Sequence, residues 1–182
     1  MKSVAIYCGS ASGARSSYVA AAEALGRELA RRDITLVYGG ASVGLMGAVA
    51  DAALAHGGRV IGVIPRQLVD REIAHPGLSE LIVVSTMHER KAEMSVRADA
   101  FIAMPGGFGT LDELFETLTW SQLGIHRKAS GLLDIDEYWE PLVRFVDHAM
   151  DQGFLRPAHR ALLIREADPN RLLDRLASFS AR

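Results

Sequence analysis

Four short stretches of the chain carry residues whose type and spacing could do chemistry. The sharpest is Met104-Pro105-Gly106-Gly107-Phe108-Gly109-Thr110. Three glycines in four positions let a backbone approach an anion closely, and a helix opening behind them aims amide N–H groups at it. Phosphate is the natural guest. A purely structural reading stands beside this one: a tight turn in which Thr110 caps the helix and Glu113, three positions on, completes a capping box. In either case Glu113 falls in the first helical turn, where the helix dipole favours an ionised carboxylate. Upstream, Met87-His88-Glu89-Arg90-Lys91-Ala92-Glu93-Met94 opens another helix and brings Arg90 and Lys91 toward the same end of the fold. The competing reading is a solvated charged face. Met87 and Met94, at helical spacing, suit a core or an adaptable apolar wall for a flat ligand.

Two further glycine loops follow apolar runs: Cys8-Gly9-Ser10-Ala11-Ser12-Gly13 and Gly39-Gly40-Ala41-Ser42-Val43-Gly44. Gly9, Ser10, Gly39 and Gly40 are candidates for additional phosphate or ribose contacts. The stretch from Pro65 to Glu80 is the least periodic and carries Arg66, Asp70, Arg71, Glu72 and His75. It reads as a surface connection or a functional loop, since unstructured loops of that length in compact domains often serve a site.

Several familiar motifs are absent or poorly supported. Gly40-Ala41-Ser42-Val43-Gly44 matches the Gly-x-Ser-x-Gly elbow of hydrolases, but it follows only the second strand of a small chain. A triad with Asp136 and His159 would rest on arbitrary partners. No Gly-x-Gly-x-x-Gly fingerprint, ATP-binding glycine-lysine loop or His-Glu-x-x-His zinc site occurs. Cys8 reads as a buried small hydrophobe rather than a nucleophile.

The elements that must position these loops alternate along the whole chain. Apolar runs at Ser3 to Tyr7, Ile34 to Tyr38, Val60 to Ile64, Leu81 to Val84, Ala100 to Met104, Gly131 to Leu133 with Ile135, and Leu162 to Ile164 read as strands. Several lack the polar alternation of a half-exposed strand, so they suit a parallel sheet covered on both faces. Helical spacing predicts Ser17 to Arg32, Leu45 to His56, Met87 to Ala98, Leu111 to Leu123, Tyr138 to Gln152 and Asn170 to Phe179. The expectation is an α/β fold: one doubly wound, Rossmann-like parallel sheet with helices on both faces, forming a single domain over residues 1–182. Ligands in such sheets bind beyond the carboxyl ends of the strands, where the glycine loops lie. In the helix from Leu111, residues Leu111, Leu114, Phe115 and Leu118 make the expected core stripe. Trp120 lies off it with Glu113 and Glu116, which suggests a second burial surface against a partner subunit.

Composition bounds the remaining possibilities. With 182 residues and 49% hydrophobic content, the chain can bury roughly 70% of its unfolded surface without disulfide or metal support. A net charge of −2 recommends neither nucleic acid nor an anionic membrane as partner. No run approaches the roughly 20 apolar residues that span a bilayer. Met1-Lys2 leads directly into a short apolar stretch, so no leader is expected. With a single cysteine, this points to the cytoplasm.

The run Pro105-Gly106-Gly107-Phe108-Gly109-Thr110-Leu111-Asp112-Glu113 resembles the Pro-Gly-Gly-x-Gly-Thr-x-x-Glu motif of the LONELY GUY family, cytokinin riboside 5'-monophosphate phosphoribohydrolases. The segment Met87 to Met94 is similar to that family's second signature, and Thr119-Trp120-Ser121-Gln122-Leu123-Gly124-Ile125-His126 to its continuation. The likeness extends to the Tyr7-Cys8-Gly9-Ser10 opening and to Tyr38-Gly39-Gly40 with Gly44-Leu45-Met46-Gly47. It implies that Arg90 and Glu113 are catalytic. It also implies that Glu72, Arg90, Lys91, Gly107, Phe108, Gly109, Thr110, Leu111, Asp112, Glu113 and Thr119 contact substrate. One departure is Lys128-Ala129-Ser130-Gly131-Leu132-Leu133-Asp134, where relatives more often have Lys-Pro-Val-Gly-Leu-Leu-Asn. The implied reaction is hydrolysis of the N-glycosidic bond of a purine nucleoside 5'-monophosphate, giving free base and ribose 5-phosphate, with no metal or organic cofactor and a homodimer as the assembly. The rival class is a nucleotide-binding or carrier protein that keeps the glycine loop without catalysis. A lysine decarboxylase label attached to relatives has little chemical support, because no lysine follows a recognisable cofactor-phosphate loop.

Overall fold

The computed structural model describes residues 1–69 and 74–179. Their strands are β1 (Ser3–Tyr7), β2 (Thr35–Tyr38), β3 (Val60–Pro65), β4 (Glu80–Val84), β5 (Ala100–Ala103), β6 (Ala129–Leu133) and β7 (Leu163–Glu166). They form one sheet in the order β4-β3-β2-β1-β5-β6-β7, with every pairing parallel. The apolar runs without alternation are the strands covered on both faces. β3 is buried at every position. The edge strand β4 alternates instead, leaving Leu81 and Val83 exposed.

Helices α1 (Ser16–Arg31) and α2 (Gly44–Ala55) cover one face together with α8 (Pro169–Ala177). Leu25, Leu29, Val49 and Leu172 there pack on Val4, Ile6, Leu36 and Ile102. The opposite face carries α4 (Met87–Arg97), whose Met94 meets Tyr7, Val37 and Phe101. It also carries α5 (Phe108–Gln122) and α6 (Glu140–Asp151), whose Leu114 and Val143 pack with Ala103 and Leu132. Short helices α3 (Arg66–Val69) and α7 (Pro157–Arg160) complete the described residues.

The chain lays down β1 to β4 outward in one direction, then α4 carries it back across the sheet to place β5 on the other side of β1. Right-handed crossovers put α1 and α2 on one face and α4, α5 and α6 on the other. The loops after β1 and β5 therefore leave in opposite directions and open a crevice between them, the usual ligand position in a doubly wound sheet. No helix among the described residues is long and apolar enough to cross a membrane.

Four expectations need correction. α5 begins at Phe108 rather than Leu111, with Gly107 as its N-cap. Thr110 is thus inside the first turn, the capping box does not form, and Glu113 sits a turn deeper than expected. Phe115 is 39% exposed, while Thr117 takes the buried position and its hydroxyl hydrogen-bonds Tyr7 Oη at 2.9 Å. A helix from Tyr138 is delayed to Glu140, because a 3-10 turn at Ile135–Glu137 intervenes with Asp136 and Glu137 at positive φ. The stretch from Pro65 to Glu80 is not one loop: its start is the end of β3 followed by α3, and Ala74 makes a bridge to Ala41.

Candidate active site

The crevice between the β1 and β5 loops is closed at its base by direct hydrogen bonds. Met104 N–H donates to the Tyr7 carbonyl at 2.9 Å and Gly9 N–H donates to the Pro105 carbonyl at 3.0 Å. Above them lies a cleft of about 240 Å³, floored by Ile6 and Cys8. Its walls come from Gly9 and Ser10 after β1, from Gly39 after β2 with Met46 of α2, and from Met87 and Arg90 of α4. The remaining wall is the start of α5: Gly107, Phe108, Gly109, Thr110 and Glu113.

The glycine loop is built for close approach. A Cβ on Gly106 would stand 2.1 Å from Thr110 Oγ1 and 2.9 Å from Gly9 N, so any side chain there would push the β5 loop off the β1 loop. The first N–H groups of α5 have no partner within the helix, and its first turn contains no acidic residue. The dipole of a 15-residue helix thus meets the cleft with no carboxylate in the helix's first turn. Phe108, 93% exposed, stands at the rim.

Arg90 is placed by the start of α4. Thr86 Oγ1 caps that helix by accepting from Glu89 N–H at 3.1 Å, and Glu89 accepts in return from Ser85 N–H at 2.7 Å. One turn in, the buried Arg90 side chain crosses beneath the β2 and β3 ends, where Nε donates to the Val63 carbonyl at 3.1 Å and Nη2 to the Gly39 carbonyl at 3.0 Å. Two backbone anchors hold the plane of a permanently charged guanidinium at the cleft wall. A Cβ on Gly39 would stand 2.0 Å from Nη2, so this packing needs glycine there.

Glu113 faces the same cleft and its charge reaches the floor. Burial pushes the Cys8 thiol well above its ordinary range and the Glu113 carboxylate pushes further, against the smaller opposing effect of Arg90. The thiol stays protonated, which removes it as a nucleophile near neutral pH. Burial likewise raises the Tyr7 phenol, with Glu113 and Glu116 adding to it against the lowering effect of the Thr117 hydrogen bond.

Of the sequence candidates, Met87, Arg90, Gly107, Phe108, Gly109, Thr110, Glu113, Gly9, Ser10 and Gly39 come together on this cleft. Lys91 does not line it. It is buried between α4 and α5, paired with Asp112 at 3.0 Å and Glu116 at 3.2 Å. Burial works against its charge, but the hydrogen bonds to the two carboxylates outweigh that and raise its pKa. Asp112 is therefore a bracing partner. Leu111 packs beside the Leu114 cluster, and Thr119 donates to the Phe115 carbonyl one turn back. Gly40, at positive φ, turns its carbonyl to His75 N–H. Glu72 lies outside the described residues. Asp136, the acid of the rejected triad, accepts from Ser17 Oγ at 2.6 Å and pairs with Arg15. Ile6, Cys8 and Met46 line the cleft without having been singled out for it; the glycine loops beside Cys8 and Met46 were the available signal. Among the described residues no group of three His, Cys, Asp or Glu is arranged to hold a metal ion.

Comparison with known proteins bears directly on this arrangement. A probable cytokinin riboside 5'-monophosphate phosphoribohydrolase of Oryza sativa subsp. japonica is 50% identical over 177 residues, covering 97% of this chain and 72% of the relative. A cytokinin riboside 5'-monophosphate phosphoribohydrolase of Arabidopsis thaliana is 51% identical over 179 residues, covering 98% and 82%. The chain belongs to the LONELY GUY family. The family model that matches residues 46–176 is described as possible lysine decarboxylase. The lysines of this LONELY GUY chain do not suit that chemistry, because a pyridoxal enzyme needs a lysine amine in its cleft. There are three, Lys2, Lys91 and Lys128. Lys2 and Lys128 precede β1 and β6, at the amino ends of the strands, and Lys91 is committed to two carboxylates. Among solved structures, a molybdenum cofactor binding protein from Rippkaea orientalis matches with a TM-score of 0.73 at 21% identity, covering 97% of this chain and 96% of that one. A molybdenum cofactor carrier protein from Chlamydomonas reinhardtii matches at 0.73 and 19%, covering 98% and 99%. Likeness at that identity shows the shared fold alone.

Proposed function

We propose that this protein hydrolyses the N-glycosidic bond of adenosine 5'-monophosphate, including N6-modified forms, releasing the free base and ribose 5-phosphate. The observation that carries the reading is the meeting of Arg90, Glu113 and the amides at the start of α5 in one cleft at the sheet's switch point. The curated relatives, about half identical over nearly the whole chain, are phosphoribohydrolases.

In this reading the 5'-phosphate sits on the amides of Gly107, Gly109 and Thr110. The binding energy gained there is spent on orienting the ribose, which favours the monophosphate over the nucleoside. As the bond from the anomeric carbon to the base nitrogen breaks, the sugar gains oxocarbenium character. The Glu113 carboxylate stabilises that charge and orients a water molecule toward the anomeric carbon. Water's hydroxyl ends on the sugar and its proton accompanies the departing base. Arg90 gives electrostatic and positional support to the nucleotide rather than a proton, since its guanidinium does not deprotonate. Met46 and Met87 supply an adaptable apolar wall for the base. Glu113→Gln and Arg90→Ala are each expected to lower base release from AMP by at least about 10²-fold in protein that remains folded. Undiminished turnover in both would refute these roles.

Two finer expectations accompany the activity. Past the core face of α5, the side chains of Phe115, Leu123 and Ile125 remain exposed, with Val96 at the end of α4. These exposed apolar side chains suit burial against a second copy, so the assembly is a homodimer. Light scattering at micromolar concentration checks this, and a monomeric mass would contradict it. The cytoplasm suits a chain whose single cysteine is a free, protonated thiol.

A further inference from the structure

Just beyond β6, two consecutive residues other than glycine, Asp136 and Glu137, hold φ values of 52° and 60°. Side chains are disfavoured in this left-handed region, and such conformations persist where surrounding contacts impose them. Those contacts are present. The Asp136 carboxylate is tied to the start of α1 by Ser17 Oγ at 2.6 Å and by Arg15 at 3.4 Å. The next side chain, Tyr138, is gripped edge-on by Tyr18 at 5.8 Å and by Trp139 at 4.9 Å between ring centres. The product of this bracing is one hydrogen bond: Tyr138 Oη donates to the Gly106 carbonyl at 2.5 Å.

Gly106 is the peptide unit just ahead of the amides proposed to hold phosphate. It is already wedged, with Thr110 on one side and the Gly9 backbone on another. Gly107 lines the cleft and Tyr138 does not, so the hydroxyl holds this unit from outside the cleft wall. The peptides of the described chain are trans, and in a trans unit the C=O and the following N–H point in opposite directions. A donor holding the Gly106 oxygen from outside the cleft wall turns the Gly107 N–H into the cleft. Accepting that hydrogen bond also polarises the amide and makes its N–H a stronger donor.

We propose that Tyr138 is a positioning residue for phosphate recognition, a strut that fixes the Gly106–Gly107 peptide in its anion-binding orientation. The strained Asp136–Glu137 turn exists to deliver its hydroxyl. This rests on the reading that the glycine loop receives the 5'-phosphate, and it adds a residue outside the loop, the cleft wall and the glycine motif.

The test is Tyr138→Phe, which removes one oxygen and keeps the ring between Tyr18 and Trp139. Calorimetry with ribose 5-phosphate and, separately, with adenosine compares the variant with wild type, alongside steady-state base release from AMP. The expected result is an affinity for ribose 5-phosphate weaker by about fivefold, the equilibrium worth of one neutral hydrogen bond. KM for AMP should rise by a similar factor with kcat nearly unchanged, while adenosine affinity stays at its wild-type value and Tm falls by no more than the roughly 2–4 °C that one such hydrogen bond is worth. Unchanged ribose 5-phosphate affinity would overturn the proposal. So would an equal loss for adenosine, which marks general loosening of the cleft, or a wild-type protein that does not bind ribose 5-phosphate. If wild type releases no base from AMP yet Tyr138→Phe selectively weakens ribose 5-phosphate binding, the strut stands and the hydrolase reading falls.

Discussion

Replacing Gly39 with alanine probes the site through a residue that carries no functional group. The new methyl would stand 2.0 Å from Arg90 Nη2 and 3.0 Å from Met46 Sδ. The obstacle is steric, since Gly39 is not among the glycines at positive φ. The nearest atom is the tip of a long side chain, so the protein can fold by moving it. The guanidinium must then retreat by more than about 1 Å, a misplacement that costs on the order of 10²-fold in rate. It also strains or breaks the hydrogen bond from Nη2 to the Gly39 carbonyl. A hydrogen bond from a charged donor is worth about 1.5–3 kcal/mol. For a chain of this size, each kcal/mol corresponds to roughly 2–4 °C in Tm. Gly39→Ala should therefore melt several degrees below wild type, keep its circular dichroism spectrum, and lose about two orders of magnitude in kcat/KM for base release from AMP. Steady-state kinetics with chromatographic detection of adenine, paired with a thermal melt, measures both quantities. A folded variant with wild-type kcat/KM would refute the argument that the anchored position of Arg90 matters to the reaction.

Other perturbations follow from the same structure. Glu137→Gly relieves a left-handed residue whose Cβ costs roughly 1–2 kcal/mol, against about 0.5–1 kcal/mol for glycine's extra freedom when unfolded. Urea denaturation should find the variant equal to wild type or up to about 1.5 kcal/mol more stable, whereas a clear loss of stability would show that the turn is unstrained. At the far end of the sheet, hydrogen bonds from Arg31 lower the Glu28 carboxyl to about 2, opposed by burial and helped by Arg32. Arg32 continues to Asp174 at 2.6 Å, linking α1 to α8. A depressed carboxyl stabilises the fold fully above its unfolded value near 4.5, and that stabilisation is lost as pH falls from there through about 2. The stability advantage of wild type over Glu28→Gln should therefore be constant from pH 7 to 5 and shrink below about pH 4. An advantage independent of pH would contradict this.

The sheet was legible in the sequence because parallel strands buried on both faces read as uninterrupted apolar runs; Val60 to Ile64 is the clearest. The start of α5 was not, because Phe108 and Gly109 are weak helix formers. Tertiary hydrogen bonds between the β1 and β5 loops hold that first turn where propensity does not. Phe115 departs from its spacing for a related reason: its position marks it for the core, but Thr117 takes the buried place because Tyr7, 110 residues away, offers it a hydrogen bond. Within the site, the residue types were visible in motifs, but their partners were not. Arg90 and Lys91 are adjacent in sequence and diverge in the fold, one toward the carbonyls of β2 and β3, the other toward the carboxylates of α5. Spacing reports neighbours along one helix, not those supplied by the next element. The contact from Tyr138 to Gly106 and the left-handed turn behind it likewise arise only when β6 is laid beside β5.

A cleft that cleaves a nucleotide, rather than only holding one, must yield both the free base and ribose 5-phosphate. The most direct measurement is incubation of the purified protein with AMP and with an N6-isopentenyl-substituted AMP, followed by chromatographic quantitation of base and of ribose 5-phosphate. Equimolar release of the two products is expected from at least one of these substrates. Saturable binding of both nucleotides with each recovered intact after prolonged incubation would contradict it and leave the chain a nucleotide carrier.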